Sequence, residues 1–212
     1  MFTLSARISL TTILFLSACL VFLLTPISAS AEGFQITPFL GYSVGGDFND
    51  AFTNVELSLS EDETYGIILG RDTGPGTQAE FFYSFQPSSL TANGVVTPGV
   101  LTDVDVEYFH IGGRQYLGEG TAKPFVVGSL GATHFDPHSS SLGSETRFSI
   151  GLGGGVELGA SDRIGIRLEG RGFATFLDSG GAVFCGPVGC SVAVASQVLW
   201  QFEVLAGVTF KF

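Results

Sequence analysis

A two-residue alternation of apolar and polar side chains runs through this chain in stretches much longer than ordinary strands. The last stretch, Val198 to Phe212, places Trp200 and Val204 on one face and Glu203 and Thr209 on the other. Strands of globular proteins usually have about 5–6 residues. An alternation this long is typical of a strand that meets lipid on one face and a polar interior on the other.

Eight stretches of this kind follow one another along the chain. The alternation weakens near Gly112 in the fourth stretch, and the fifth is apolar or small on both faces, so its orientation stays open. The stretches are Gly33 to Val44, Thr64 to Arg71, Thr77 to Phe85, Asp103 to Tyr116, Lys123 to Asp136, Thr146 to Leu158, Arg163 to Phe176 and Val198 to Phe212.

The connections between these stretches alternate between short and long. The short ones, 72–76, 118–122 and 159–162, are rich in turn-forming residues. Outer-membrane barrels have short periplasmic turns and longer outer loops. The pattern therefore predicts an all-β fold, an eight-stranded antiparallel up-and-down transmembrane β-barrel, with both termini in the periplasm.

The first 31 residues are predicted to be a cleavable signal peptide. Arg7 precedes an apolar run from Leu10 to Leu24, and Ala29-Ser30-Ala31 has the small-residue pattern of a cleavage site before Glu32. Residues 32–212 then form the barrel domain. The chain is thus expected to be exported, and no later apolar run is long enough for a membrane helix. A closed barrel, the other structure that can span a bilayer, is therefore favoured.

Composition excludes one class of partner. Without Arg7, 8 cations remain against 20 anions, a formal net charge of −12. Nucleic-acid binding requires a basic face, so it is not expected. Charged residues make up only 14% of the chain, against about 25% in soluble domains.

The alternation directs several charged side chains toward the barrel interior. An eight-stranded barrel is only just wide enough for its side chains to fill, so opposite charges there should pair. Arg171 could approach Glu203, and Glu157 could face Arg163. The result is either a polar core that plugs the barrel or a narrow gated pathway for ions and small solutes. The predicted interior charges are Glu80, Glu107, Glu157, Arg163, Arg167, Glu169, Arg171 and Glu203.

Two cysteines of the mature chain bracket a turn-forming segment. Cys185 and Cys190 flank Gly186-Pro187-Val188-Gly189. A pair this close, with a turn between its members, is expected to form a disulfide in an oxidising compartment.

With these features the chain resembles the small outer-membrane β-barrel domain family, which includes the OmpA, OmpX and OmpW types. The resemblance covers most of the mature chain and implies a Gram-negative outer membrane. Phe210 and Phe212 are similar to the family's assembly signal, which implies the barrel-assembly machinery and periplasmic chaperones as partners. The residues that carry it are 123–128 (KPFVVG), 147–158 (RFSIGLGGGVEL), 164–169 (IGIRLE) and 207–212 (GVTFKF).

The family implies fold and location more than activity. We expect a monomer with a structural or surface-interaction role, in contact with outer-membrane lipid and lipopolysaccharide. A narrow channel or carrier for small solutes is the first alternative, and a lipid-modifying enzyme is the second. The chain is not expected to be an enzyme, and its residues predict no catalytic set, cofactor site or metal site.

Overall fold

The computed structural model describes residues 33–49, 56–93, 99–139, 143–177, 182–186, 189–193 and 198–212, and the predicted signal peptide lies outside them. In these parts the chain forms strands joined by turns and loops. The strands are β1 (Phe34–Gly45), β2 (Asp47–Asn49), β3 (Glu56–Leu59), β4 (Asp62–Gly74), β5 (Thr77–Asn93), β6 (Gly99–Tyr116), β7 (Ala122–Pro137), β8 (Glu145–Gly159), β9 (Ile164–Phe176), β10 (Ala182–Gly186), β11 (Gly189–Ala193) and β12 (Val198–Lys211).

Eight of these strands close into an antiparallel barrel. Around the ring the order is β4, β5, β6, β7, β8, β9, β12 and β1, and β1 returns to pair with β4. Each of these eight strands pairs with the barrel strands that precede and follow it in the chain, and the first pairs with the last. This confirms the predicted eight-stranded up-and-down barrel. The short strands β2 and β3 extend the sheet from β5, while β10 and β11 form a separate two-stranded sheet.

The three short turns lie at one end of the barrel, here called the short-turn end. The first and last residues of the barrel chain lie at this end too. Gly76 and Gly120 adopt positive φ angles of 69° and 111° in two of the turns. In the third, the Ser161 hydroxyl accepts the backbone N–H of Ile164 at 3.0 Å. The N–H of Gly33 donates to the carbonyl of Phe212 at 3.1 Å, so the first and last barrel strands begin and end together. The opposite end is called the long-loop end.

The outer face of the barrel is apolar. Leu40, Leu152 and Val204 are 72%, 69% and 62% exposed, values that would be costly for such side chains in water. At the long-loop end the outer face carries aromatic rings, including Trp200 and the stacked pair Phe148 and Phe176, with centroids 5.8 Å apart. An apolar band bordered by aromatic rings is the surface that outer-membrane barrels present to lipid. Within the described residues, no helix is long and apolar enough to span a bilayer.

Candidate functional site: the barrel interior

A layer of charged side chains crosses the interior near the short-turn end. Arg114 lies at its centre, with Nη1 donating to Glu157 Oε2 at 3.0 Å and Nε 3.0 Å from Glu80 Oε1. Glu157 also accepts the hydroxyl of Tyr116 at 2.6 Å and pairs with Lys211 at 2.5 Å. We call this set the charged layer; its members are Glu80, Arg114, Glu157, Arg167, Glu169, Arg171 and Lys211.

Two arginines of β9 complete the charged layer. Arg167 donates to both carboxylate oxygens of Glu80, at 2.6 and 3.1 Å, and its Nε donates to Glu169 at 2.7 Å. Arg171 donates from Nε to the other oxygen of Glu169, also at 2.7 Å. These three β9 side chains lie two residues apart, so the strand pleat places them all on the inner face. Each β9 arginine is thus held by at least one buried carboxylate.

Aromatic rings cover the guanidinium groups. The Arg167 guanidinium lies 4.7 Å from the Phe125 ring centroid, and that of Arg171 lies 4.0 Å from the centroid of Phe82. A cation over a ring face is favourable, more so away from water. Phe82 stacks on Phe39, with ring centroids 5.4 Å apart, and makes a tilted contact with Phe173 at 5.7 Å, so an aromatic layer follows the charged one.

A polar, mostly uncharged layer lies beyond the aromatic rings. Its centre is His110, fully buried, with Nδ1 3.0 Å from the Ser129 hydroxyl and Nε2 2.9 Å from that of Ser149. Tyr108 donates to Gln201 Oε1 at 2.5 Å. The layer ends at buried apolar side chains near the long-loop end, which are Leu59, Leu90, Val104, Val106, Phe135, Leu177 and Leu199.

Glycines on the inner wall make room for these layers. A Cβ at Gly155 would collide with the carbonyl of Leu168 on β9 and lie 2.9 Å from the Phe125 ring. Because Phe125 stacks against the arginines, the absent side chain at 155 lets the charged layer assemble. The inward glycines Gly151, Gly153 and Gly155 are therefore explained by packing inside a narrow barrel.

Most of the predicted interior charges lie in the interior. Glu80, Glu157, Arg167, Glu169, Arg171 and Glu203 are each at most 5% exposed. The two expected pairings differ from the structure. Arg171 lies directly across from Glu203 in the β9–β12 register, but its guanidinium turns to Glu169 because that carboxylate is two residues away on the same strand. Glu157 pairs with Arg114 and Lys211.

The interior placement expected of Glu107 and Arg163 is wrong. Arg163 is exposed in the turn before β9. Glu107 lies on the outer face, where it accepts the hydroxyl of Tyr83 at 2.6 Å. The alternation inverts there because this part of β6 encloses the apolar cluster at the long-loop end, so Val106 points inward and the polar residue outward. The rule that polar side chains face inward holds only where the outside is lipid.

Sequence reasoning missed Arg114, the central cation of the charged layer. His110, Gly112, Arg114 and Tyr116 keep a strict two-residue spacing, and the pairing of β6 with β5 and β7 is uninterrupted there. That spacing was the signal that could have identified Arg114. The signal was obscured because Gly112 and Gly113, which precede Arg114, have no side chains to show which face of the strand is apolar.

The other predicted features lie at the barrel ends. The backbones of Cys185 and Cys190 are directly opposite each other in the β10–β11 hairpin. Phe210 and Phe212 are exposed at the short-turn end. At the long-loop end, His138 Nε2 lies 2.9 Å from Asp105 Oδ2. The hydrogen bond to that carboxylate raises the pKa of His138 above its usual value.

Comparisons with known proteins agree with this architecture. A search of the curated proteins finds no significant match. Neisserial surface protein A (NspA) is a structural neighbour with a TM-score of 0.60 at 13% identity, covering 85% of this chain and 98% of its own. The outer membrane protein OprG from Pseudomonas aeruginosa also has a TM-score of 0.60, at 12% identity, covering 85% and 96%. At these identities the likeness concerns the fold alone.

The family model of the outer membrane protein beta-barrel domain matches residues 17–212, nearly the whole chain. Together with the closed barrel, its apolar outer face and its polar interior, this match identifies the chain as a member of the outer membrane protein beta-barrel domain family, an integral outer-membrane β-barrel.

Proposed function

We propose that this protein is a structural or surface-interaction protein of the Gram-negative outer membrane, and that its interior is closed by its own side chains. The observation that carries the proposal is the sequence of layers across the interior. Arg114 and Arg167 are each 1% exposed, and the aromatic layer beyond them includes Phe82 and Phe173, also 1% exposed. A barrel of eight strands has little room beyond its side chains, so no continuous aqueous path is expected.

The orientation follows from the connections. We place the short-turn end and both termini in the periplasm, because outer-membrane barrels keep their short turns there. A signal peptide over residues 1–31 would deliver the chain to the periplasm. Chaperones and the barrel-assembly machinery would then act on it, with Phe210 and Phe212 as the assembly signal. We propose a monomer in the membrane.

The long-loop end is the proposed interaction surface. It carries several carboxylates, and Asp103, Asp105 and Asp136 lie near enough to His138 to favour its charged form, although no three carboxylates of the described residues form a group that could hold a metal ion by themselves. The cation Arg147 on β8 is paired with Glu145 at 2.8 Å. Lipopolysaccharide phosphates would therefore be approached through divalent cations that bridge the two anionic surfaces, since carboxylates bind such cations through oxygen.

The β10–β11 hairpin would form a rigid element of this surface. An isolated two-stranded hairpin is marginally stable in water. A Cys185–Cys190 disulfide would stabilise it, and directly opposite residues of an antiparallel pair have Cα atoms about 4.5–5.5 Å apart, within the range of disulfides. Peptide mapping of the purified protein without reductant should recover the two cysteines in one linked peptide. Recovery of two free thiols would contradict the disulfide.

We propose a non-enzymatic role. His110 has two serine hydroxyls within hydrogen-bond distance, but it is fully buried. Its ring lies edge-on to the Phe173 ring, with centroids 5.2 Å apart, and is closed off from solvent and lipid, so a lipid substrate has no access to it. Deletion of the gene should accordingly leave the lipid A mass profile unchanged.

Reconstitution into planar bilayers tests the closed interior. The wild-type protein should give no reproducible single-channel steps. Arg114→Ala removes the side chain that links Glu80, Glu157 and Gln35 across the charged layer. This variant should increase the leak relative to Arg71→Ala, whose arginine is exposed on the outside. Regular steps from the wild-type protein would favour the channel alternative and overturn the closed-interior proposal.

A further inference from the structure

Glu203 is a buried carboxyl group with no counter-charge in contact. It is 1% exposed on the inner face of β12, beyond the charged layer. The three buried arginines, 114, 167 and 171, are engaged by three other buried glutamates, which are Glu80, Glu157 and Glu169. Lys211, the fourth cation of the charged layer, is paired with Glu157 at 2.5 Å and lies toward the mouth at the short-turn end, where its side chain is 23% exposed. Glu203 is therefore a fourth carboxyl without a cation of its own.

The immediate surroundings of Glu203 are neutral and polar. Its Oε2 accepts the Ser84 hydroxyl at 3.0 Å. The Thr64 hydroxyl also faces the carboxyl, yet neither Thr64 Oγ1 nor Glu203 Oε1 has a hydrogen-bond partner of good geometry among the described residues. Ser43 lies directly across on β1 and is also buried. Three hydroxyl side chains thus surround the carboxyl, and within the described residues no ammonium or guanidinium group forms an ion pair with it.

The charged and titratable groups that face Glu203 come from two other strands. On β9 they are Arg171, directly across in register, and Glu169, which engages that arginine and repels a second anion. On β6 it is Tyr108, whose hydroxyl is committed to Gln201. The facing residues on β1, β4 and β5 are the hydroxyl side chains named above. Arg171 is also held over the Phe82 ring at 4.0 Å, turned toward the charged layer.

An ionised Glu203 would be an unpaired charge in a water-poor interior. Proteins avoid this cost by neutralising the group. A proton on Oε1 removes the charge and turns that oxygen into a donor for Thr64 Oγ1, while Oε2 keeps its bond from Ser84. Hydrogen bonds alone could also be satisfied by the ionised form, since the Thr64 hydroxyl could donate. The missing counter-charge is what favours the neutral form.

We propose that Glu203 is a proton-binding site, a carboxyl group that stays protonated at neutral pH with its proton held between Oε1 and Thr64 Oγ1. The interior then consists of a charge-paired layer toward the short-turn end and an entirely neutral section beyond it. A protonated Glu203 is a further property, beyond the closed interior proposed above: it fixes the protonation state of one residue and confines the ion pairs to the charged layer.

Infrared spectroscopy of the protein in phospholipid vesicles tests the proposal directly. The wild-type protein at neutral pH should show a carbonyl band of a protonated carboxylic acid, which shifts in D2O. The band should be absent in Glu203→Gln and retained in Glu107→Gln, a control that removes a carboxyl from the outer face. Absence of the band from the wild-type protein, or its persistence in Glu203→Gln, would overturn the proposal.

The pH dependence of unfolding provides a second test. The unfolded chain loses the Glu203 proton at the ordinary pH for a glutamate, whereas the folded barrel keeps it to higher pH. Unfolding therefore releases a proton, and between those two values the unfolding equilibrium constant rises about tenfold per pH unit. Stability from this group is greatest at low pH and falls as pH rises.

Glu203→Gln should lack this component. A glutamine amide can donate to Thr64 and accept from Ser84, so the variant should fold and become more stable than wild type as pH rises. An identical pH dependence in the two proteins would contradict the proposal. A stability that depends on sodium, together with a missing infrared band, would identify a bound metal ion in place of the proton and would also overturn it.

Discussion

Replacing Arg167 by methionine tests whether the charged layer stabilises the barrel. The substitution keeps an unbranched apolar side chain but removes the guanidinium that contacts Glu80 and Glu169. Glu80 then keeps Arg114 at 3.0 Å and Arg171 only at 3.7 Å. Breaking a buried ion pair by removing one partner costs about 3–5 kcal/mol when a charge is left uncompensated. Because Glu80 keeps Arg114 and Glu169 keeps Arg171, we expect a loss at the lower end of this range.

Urea unfolding in lipid vesicles measures this loss. Trp200 is the only tryptophan, and at 56% exposed on the outer face it reports transfer from lipid to water. Arg71→Met, which removes an exposed arginine, should change the free energy of unfolding by less than about 0.5 kcal/mol.

The double variant Glu80→Gln/Arg167→Met should be less destabilised than the two single changes predict by addition, since it removes both members of a pair. Equal losses for Arg167→Met and Arg71→Met would refute the reasoning, because the buried ion pairs would then contribute no more to stability than an exposed arginine does.

Three other predictions follow from the structure. Val204→Arg places a cation on the lipid face and should cost about 2–4 kcal/mol if it lies near the bilayer midplane, whereas Val204→Ile should be nearly neutral in the same urea assay. Gly155→Ala should cost about 1–3 kcal/mol through overpacking, while Gly170→Ala should be tolerated because nothing lies within 4 Å of its Cβ position. Equal losses would show that the inner wall is not tightly packed. NMR titration should give His138 a raised pKa that falls in Asp105→Asn. The attraction is present below the ordinary histidine pKa and is lost as pH rises through the raised one; an unchanged titration would contradict the pairing.

The fold could be predicted from the sequence because, in a pleated strand, successive side chains point alternately to the two faces of the sheet. On β9, Arg167, Glu169 and Arg171 alternate with apolar and small residues, and the structure buries all three. The lipid environment makes this signal strong, since every outward residue of the spanning region must be apolar or small. Strand existence and order followed from it with few ambiguities.

Pairing partners could not be read in the same way. Arg171 and Glu203 are directly across from each other, yet long side chains reach along the barrel axis as easily as across it, and Arg171 turns to Glu169. The facing of Glu107 was also beyond the pattern, because the pattern does not mark where β6 leaves the apolar band. Arg114 was missed because the neighbouring glycines have no side chains and so do not show which face of β6 points inward.

A cysteine scan along β12, in a chain without Cys185 and Cys190, most directly tests whether the strands close into a barrel with a dry, filled interior. Cysteines at positions 204 and 206 should react with a lipid-soluble thiol reagent, because the side chains of Val204 and Ala206 face outward. Leu205 and Thr209 positions, 4% and 0% exposed, should react with neither a lipid-soluble nor a small water-soluble reagent. Labelling of the inward positions by the water-soluble reagent would show a hydrated interior, and labelling without alternation would contradict the barrel itself.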